Sequence, residues 1–132
     1  MLYALFAMTL LIVAVGILAV TTRIKAVRNK QVHVKAFRVM DGDFPESVVR
    51  TTRLYNNQFE LPVLFFVAGA LYIALGQSHT VGAALAWAFV ASRAIHAGIQ
   101  LVYNNVFHRM LAFWAGVIIV LAMWVSVLVY AQ

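Results

Sequence analysis

The sequence predicts an all-α integral membrane protein, a bundle of four spanning helices, and three observations lead to this prediction. Hydrophobic residues make up 64% of the 132-residue chain and charged residues only 11%, whereas soluble domains average about 45–50% apolar and about 25% charged. A soluble chain this short could not bury so much apolar surface. The apolar residues form four long runs, without the period-two alternation of a transmembrane barrel. A disordered chain, a collagen and a water-soluble enzyme are therefore excluded.

The first apolar run, Leu2 to Val20, has about the 20 residues that a spanning helix needs. A cleaved signal peptide is the alternative, but it has a charged start and a small-residue cleavage site. The start here is uncharged and the run ends in Thr21-Thr22-Arg23, so a retained helix is favoured. The run Leu61 to Leu75 is short alone and is expected to extend back through Val48. The chain is thus predicted as one domain, residues 1–132, with helices at about 2–26, 47–75, 81–103 and 106–130 and a cytoplasmic loop at about 27–46.

The placement of positive charge predicts the orientation. Eight of the ten Lys and Arg residues lie between Arg23 and Arg53, and the connection at residues 76–80 has none. Basic loops remain in the cytoplasm, so both termini are expected on the non-cytoplasmic side. This clustering accounts for the net charge of +6 without a nucleic-acid partner, and none is predicted. The loop itself is either a solvated connector or a segment that closes over a ligand.

Several kinds of chemistry are excluded by composition and spacing. The chain has no cysteine, so a disulfide, a thiolate metal ligand and a cysteine nucleophile are impossible, and any thiol must come with a cofactor or substrate. Neither a two-His metal spacing nor a phosphate-binding glycine motif is present, and no serine lies in a nucleophile turn. No metal site is predicted.

Two polar stripes interrupt the second and third apolar segments. A charged side chain within a membrane helix costs about 2.5–3.5 kcal/mol and so normally has a partner or a function. Spacings of three and four residues place each stripe on one helix face. There are two alternatives to a binding site. Glu60 and Arg93 could form a buried structural ion pair, and the other arginines could reach the lipid headgroups. Together with Arg109, the stripes predict an anion-binding site beside an apolar pocket. The first stripe comprises Arg50, Arg53, Asn57 and Glu60, and the second comprises Arg93, His96, Gln100 and Tyr103.

The stretch from Arg50 to Pro62 resembles the second-helix signature of the MAPEG family, the membrane-associated proteins in eicosanoid and glutathione metabolism. The family pattern is an Arg, an Asn four residues later, a Glu three after that, and then a Pro and aromatic residues. Arg93 and His96, with Arg109 further on, resemble the third- and fourth-helix pattern of enzymatic members. The matching residues of the first motif are Arg53, Asn57, Glu60, Pro62, Phe65 and Phe66.

The resemblance implies a homotrimer with active sites between neighbouring subunits on the cytoplasmic side, and glutathione as the cofactor. Arg109 corresponds to the arginine that stabilises the glutathione thiolate, and a cation beside a thiol favours the thiolate. That thiolate would attack lipophilic electrophiles or reduce lipid hydroperoxides. The other contacts to glutathione are expected from Arg50, Arg53, Asn57, Glu60, Arg93, His96, Gln100 and Tyr103.

Three positions depart from enzymatic relatives. Gln100 stands where they carry a tyrosine, with Tyr103 as a possible substitute, and Phe113 and Met110 replace a tyrosine and a serine. Two functions therefore remain open: a glutathione-dependent transferase or peroxidase, and a non-catalytic member that binds lipid or serves as a partner subunit. The short loops are similar to those of bacterial members, which predicts a bacterial inner membrane. Membrane lipid and a lipophilic small molecule are the expected further partners.

Overall fold

A computed structural model describes residues 1–40, 42–77 and 79–131; Asp41 and Ser78, which lie in two of the expected connections, and Gln132 fall outside the described residues. Within them the chain is helical and contains no strand. Five α-helices and one short 3-10 helix, Val34–Arg38, follow one another along the chain. The α-helices are α1 (Leu2–Arg28), α2 (Glu46–Asn57), α3 (Leu61–Ala74), α4 (Thr80–Val102) and α5 (Val106–Tyr130).

Four helical segments of the described chain are long and apolar enough to cross a membrane. They contain 27, 29, 23 and 25 residues, the second formed by α2 and α3 together. About 20 residues are enough to cross the hydrocarbon layer. The predicted all-α membrane bundle of four spans is confirmed.

The second span is broken, although the sequence predicts one helix over residues 47–75. Residues 58–60 form a turn between α2 and α3, and Pro62 lies in the first turn of α3. Proline has no backbone N–H, and its ring clashes with the carbonyl four residues earlier, here that of Gln58. The helix therefore stops before Gln58 and restarts at Leu61, and the face that Arg53 and Asn57 share does not continue to Glu60.

The hydrophobic core lies between α1, α3, α4 and α5. Phe65 of α3 stacks on Phe89 of α4 with 4.5 Å between ring centroids. Small residues, among them Ala4 and Ala86, let these helices approach, as is usual for helix packing in membranes. Met8 and Met123 fill the remaining space and are fully buried.

One end of the bundle, here called the closed end, is sealed by neutral contacts. The Tyr72 hydroxyl donates to the His79 carbonyl at 2.6 Å, and the Gln77 amide donates to the Val127 carbonyl at 3.1 Å. The His79 ring stacks on Tyr130 at 3.9 Å between centroids. Gly82 lies against the Tyr72 ring so closely that a Cβ there would overlap it. The opposite end carries the basic connection and the 3-10 helix.

Candidate functional site

Two side chains lock α2 to α4 near the end that carries the basic connection. The Arg50 guanidinium donates to the Leu101 carbonyl at 3.0 Å, and the Gln100 amide donates in return to the Arg50 carbonyl at 3.1 Å. Leu101 lies in the last turn of α4, where carbonyls lack partners within the helix. Gln100 is 1% exposed and Arg50 is partly exposed, so this reciprocal lock lies at the edge of the interior.

Beside the lock lies a small cavity, here called the arginine pocket. Its volume is about 90 Å³. Three guanidinium groups reach it from different places in the chain: Arg50 and Arg53 from successive turns of α2, and Arg109 from the first turns of α5. One carboxylate offsets them, because Glu46 pairs with Arg50 at 2.6 Å. The complete lining is Glu46, Val49, Arg50, Arg53, Gln100, Asn104 and Arg109.

Arg109 is held toward this pocket by the turn between α4 and α5. The Asn104 side-chain oxygen accepts a hydrogen bond from the Arg109 guanidinium at 3.0 Å. Asn104 has φ +47°, a left-handed conformation that Asn tolerates better than most L-residues. The next residue, Asn105, caps α5 by accepting from the His108 backbone N–H at 3.0 Å. A short Asn-Asn turn thus both begins α5 and orients Arg109.

Deeper along α4 lie two buried polar residues, Arg93 and His96. Arg93 is 0% exposed, and its one hydrogen bond in the described chain, to the Asn57 carbonyl, is long at 3.4 Å. The Arg93 Nε and Nη1 atoms and the His96 Nδ1 atom have no partner among the described residues. A buried cation without a counter-ion is costly. This part of α4 therefore carries polar atoms whose hydrogen-bonding capacity is not used among the described residues.

The expected pairing of Glu60 with Arg93 does not form within the chain. Glu60 is exposed, and the ion pair of the described residues joins Arg50 to Glu46. The break caused by Pro62 explains the error, because three- and four-residue spacing predicts a common face only along a continuous helix. An exposed carboxylate at the start of the apolar α3 is itself costly in lipid.

The structure brings four of the nine residues expected at the site, namely Arg50, Arg53, Gln100 and Arg109, into one pocket. Arg93 and His96 lie on the same helix as Gln100 but are enclosed. Asn57 offers its carbonyl to Arg93, and Glu60 faces outward. Tyr103 follows the end of α4 and is exposed, with its hydroxyl 3.1 Å from His108 Nδ1.

Three residues at or near the site were missed by the sequence reasoning. Glu46 and Asn104 line the arginine pocket, and Gln58 is buried at the helix break. Glu46 could have been found from its four-residue spacing to Arg50, which favours a helical ion pair. Asn104 could have been found from the Asn-Asn pair that precedes an apolar run, which is typical of a helix N-cap.

Comparison with known proteins decides the family. A model of the MAPEG family matches residues 1–129. The chain belongs to the MAPEG family. No curated protein and no solved structure gave a significant match. The resemblance found in the Arg50–Pro62 stretch is confirmed, and the chain is a multi-pass membrane protein of a family associated broadly with glutathione.

Proposed function

We propose that this MAPEG protein is a membrane-embedded, glutathione-dependent transferase or peroxidase that acts on lipophilic electrophiles or hydroperoxides. The observation that carries the proposal is the convergence of Arg50, Arg53 and Arg109 on one pocket with a single carboxylate, Glu46. Guanidinium groups bind carboxylates with paired, directional hydrogen bonds. A peptide-like anion with two carboxylates is the ligand class that fits this charge.

The available groups match the chemistry of glutathione, which has two carboxylates, an ammonium group and a thiol. Arg50 and Arg53 offer donors for a carboxylate, and exposed Glu60 offers an acceptor for the ammonium group. Arg109, fixed by Asn104, is the cation for a thiolate. Bound glutathione would supply that thiol for addition to an electrophilic carbon, or, together with a second glutathione, for reduction of a hydroperoxide to an alcohol and water with oxidation of the two thiols to a disulfide.

A single chain offers too little space for such a ligand. The arginine pocket holds about 90 Å³, whereas small-molecule sites usually enclose about 300–1,000 Å³. Glu60 is exposed, and Arg93 is buried with two of its nitrogen atoms unpartnered among the described residues. We therefore infer that a neighbouring subunit completes the site, in a homotrimer. Native mass spectrometry in mild detergents is expected to detect three copies, and a monomer in every detergent would contradict this.

A non-catalytic member that binds lipid or serves as a partner subunit is the second candidate. The specific observation in its favour is Gln100, whose amide is engaged by the Arg50 carbonyl. It occupies the position of an enzymatic tyrosine, and Phe113 likewise brings no hydroxyl. Under this alternative the arginines anchor lipid headgroups and no thiol binds.

Titration of the purified protein with glutathione separates the two candidates. Saturable binding at millimolar concentrations, with growth of the thiolate absorbance band, is expected for the enzyme. A parallel titration with S-methylglutathione, which has no ionisable thiol, reports on carboxylate binding alone. Arg53→Gln should weaken binding of both compounds, whereas Arg109→Ala should remove the thiolate band and leave S-methylglutathione binding largely intact.

Arg38→Gln is the matched control, because this arginine ends the 3-10 helix and does not line the arginine pocket. It should behave as the wild type in both titrations. Absence of saturable binding of either compound would favour the non-catalytic candidate.

The proposed orientation places the basic connection in the cytoplasm and both termini outside, in a bacterial inner membrane. The chain has no cysteine, so single introduced cysteines report on sidedness without background. Lys35 and Ala131 are exposed and lie at opposite ends of the bundle, so Lys35→Cys and Ala131→Cys are the two variants to compare. In intact cells an impermeant maleimide should label only the second, and labelling of Lys35→Cys alone would reverse the orientation.

A further inference from the structure

A second cavity, here called the loop groove, lies between the last turns of α1 and the 3-10 helix. Its volume is about 400 Å³, within the usual range for a ligand site. No lining residue is shared with the arginine pocket. Two of the residues are arginines and four are apolar: the lining is Arg23, Ile24, Val27, Arg28, Val34 and Phe37.

Arg23 in this groove is held in place. Its Nη2 atom donates to the Thr52 hydroxyl at 3.1 Å, and its guanidinium carbon lies 5.8 Å from the centre of the Phe37 ring. Its Nε atom is buried and has no partner among the described residues. The cation is thus oriented before any ligand arrives, which lowers the entropy cost of binding. Arg28, five residues further along α1, is exposed and adds a second positive charge.

An apolar track leads from the groove along α1. Val13, Ile17, Val20 and Ile24 are spaced by four, three and four residues, so they share one helix face, and all four are exposed. A shallow cleft of about 400 Å³ lies on this face, between α1 and Tyr55 of α2. Its floor is Gly16, which the Tyr55 ring approaches so closely that a Cβ there would lie 3.0 Å from a ring carbon. At 1.5 Å per residue, the track from Val13 to Ile24 is roughly 16 Å long, close to half of the roughly 30 Å hydrocarbon layer.

We propose that the loop groove and this track bind one anionic phospholipid. Its phosphate contacts Arg23 and Arg28, and one acyl chain follows the exposed face of α1 into the membrane. A soluble phosphate would leave the apolar lining uncovered. A zwitterionic lipid would leave the positive charge of this segment, which also contains Lys30, Lys35 and Arg38, largely uncompensated. The inference depends only on the membrane location of the chain, and not on glutathione chemistry.

Lipid retention in native mass spectrometry tests the proposal. The detergent-purified protein is titrated with phosphatidylglycerol and, separately, with phosphatidylcholine of the same acyl chains. Retention of one phosphatidylglycerol per chain at concentrations at least tenfold below those needed for phosphatidylcholine is expected. Val34→Glu puts a carboxylate at the rim of the groove and should remove this preference. Val39→Glu is the matched control, because Val39 is also exposed and lies just beyond the 3-10 helix, outside the lining.

Each other result contradicts the proposal. Equal retention of the two lipids shows no headgroup recognition, and competition by soluble glycerol phosphate at the lipid concentration shows a plain phosphate site. A change in oligomeric state with Val34→Glu, without a change in lipid retention, assigns the groove to a second copy of the chain. If Val34→Glu does not purify, Arg28→Gln against Arg38→Gln makes the same comparison, and equal behaviour of these two variants also overturns the proposal.

Discussion

The two ends of the bundle hold their helices together by different means. At the closed end, the neutral donors Tyr72 and Gln77 reach backbone carbonyls, and these contacts are complete within one chain. At the opposite end, Arg50 and Arg109 make similar contacts, to the Leu101 carbonyl and to Asn104. After such a contact a guanidinium group still has unused N–H donors, and it keeps its positive charge. The closed end is thus held by neutral contacts, whereas the arginine end keeps a net positive charge beside its pocket.

Arg93 lies between the two ends and gives the largest expected effect on stability. Arg93→Leu should lower the stability of the assembled protein by about 3–5 kcal/mol, because the anion that compensates the guanidinium would be left buried and unpaired. Thermal unfolding in detergent, followed by intrinsic tryptophan fluorescence, measures this. Arg53→Leu is the control, because Arg53 is exposed and exposed ion pairs are worth about 0–1 kcal/mol.

A double-mutant cycle with Glu60→Gln identifies that anion. Coupling above about 1 kcal/mol in the assembled protein would make Glu60, from the same or a neighbouring subunit, the counter-ion. Additive effects would leave the bound ligand as the source. A neutral or stabilising Arg93→Leu would show that the guanidinium has no anion at all.

Arg109 should separate function from stability at the arginine end. Arg109→Ala is expected to reduce thiol-dependent turnover about 10²-fold or more, in line with the loss of one charge-stabilising donor, while the unfolding midpoint changes little. The reason is its half-buried position, where water can solvate the pocket. His108→Ala, one position earlier and exposed, should leave turnover unchanged. Equal turnover of Arg109→Ala and wild type would remove Arg109 from the chemistry.

Gly82 tests the packing of the closed end. Gly82→Ala should destabilise the protein by about 1–3 kcal/mol, because the added methyl overlaps the Tyr72 ring and displaces its hydroxyl from the His79 carbonyl. Gly98→Ala, on the same helix, is the matched substitution, since nothing lies within 4 Å of a Cβ there. It should be neutral or stabilising by up to about 1 kcal/mol from helix propensity. If both variants unfold at the same temperature, the closed end is less tightly packed than its contacts indicate.

Substitution of Asn104 should have the smallest effect on stability, about 1 kcal/mol. Two substitutions separate its backbone conformation from its hydrogen bond to Arg109. Asn104→Ala places Ala, which tolerates the left-handed region less well than Asn, at φ +47°. It also removes the acceptor for Arg109. Asn104→Gly tolerates the backbone conformation but also lacks the acceptor. Unfolding should therefore be shifted only in the Ala variant, and the thiolate band of bound glutathione should weaken in both. An unchanged band in Asn104→Gly would mean that Arg109 does not need Asn104 for its orientation.

Much of the site could be anticipated from side-chain spacing, but only while a helix continued. Arg93, His96 and Gln100 lie on one uninterrupted helix, so their common burial follows from their three- and four-residue steps. Arg50 and Arg53 also stay together, on α2. Glu60 does not line the arginine pocket because the break before α3 interrupts the helix face, and no spacing rule extends across such a turn. Tyr103 does not line it either, because α4 ends at Val102.

By itself, the sequence determined the class of the protein, because hydropathy and length act locally: a long apolar run needs a membrane whatever it packs against. It also determined the family, through the Arg50–Pro62 motif. Only the tertiary structure decided which arginines meet, because Arg50 and Arg109 are brought together by the packing of α2, α4 and α5 rather than by any sequence interval. It also decided that Arg93 makes no direct ion pair among the described residues, since pairing depends on side-chain direction in three dimensions as well as on residue type.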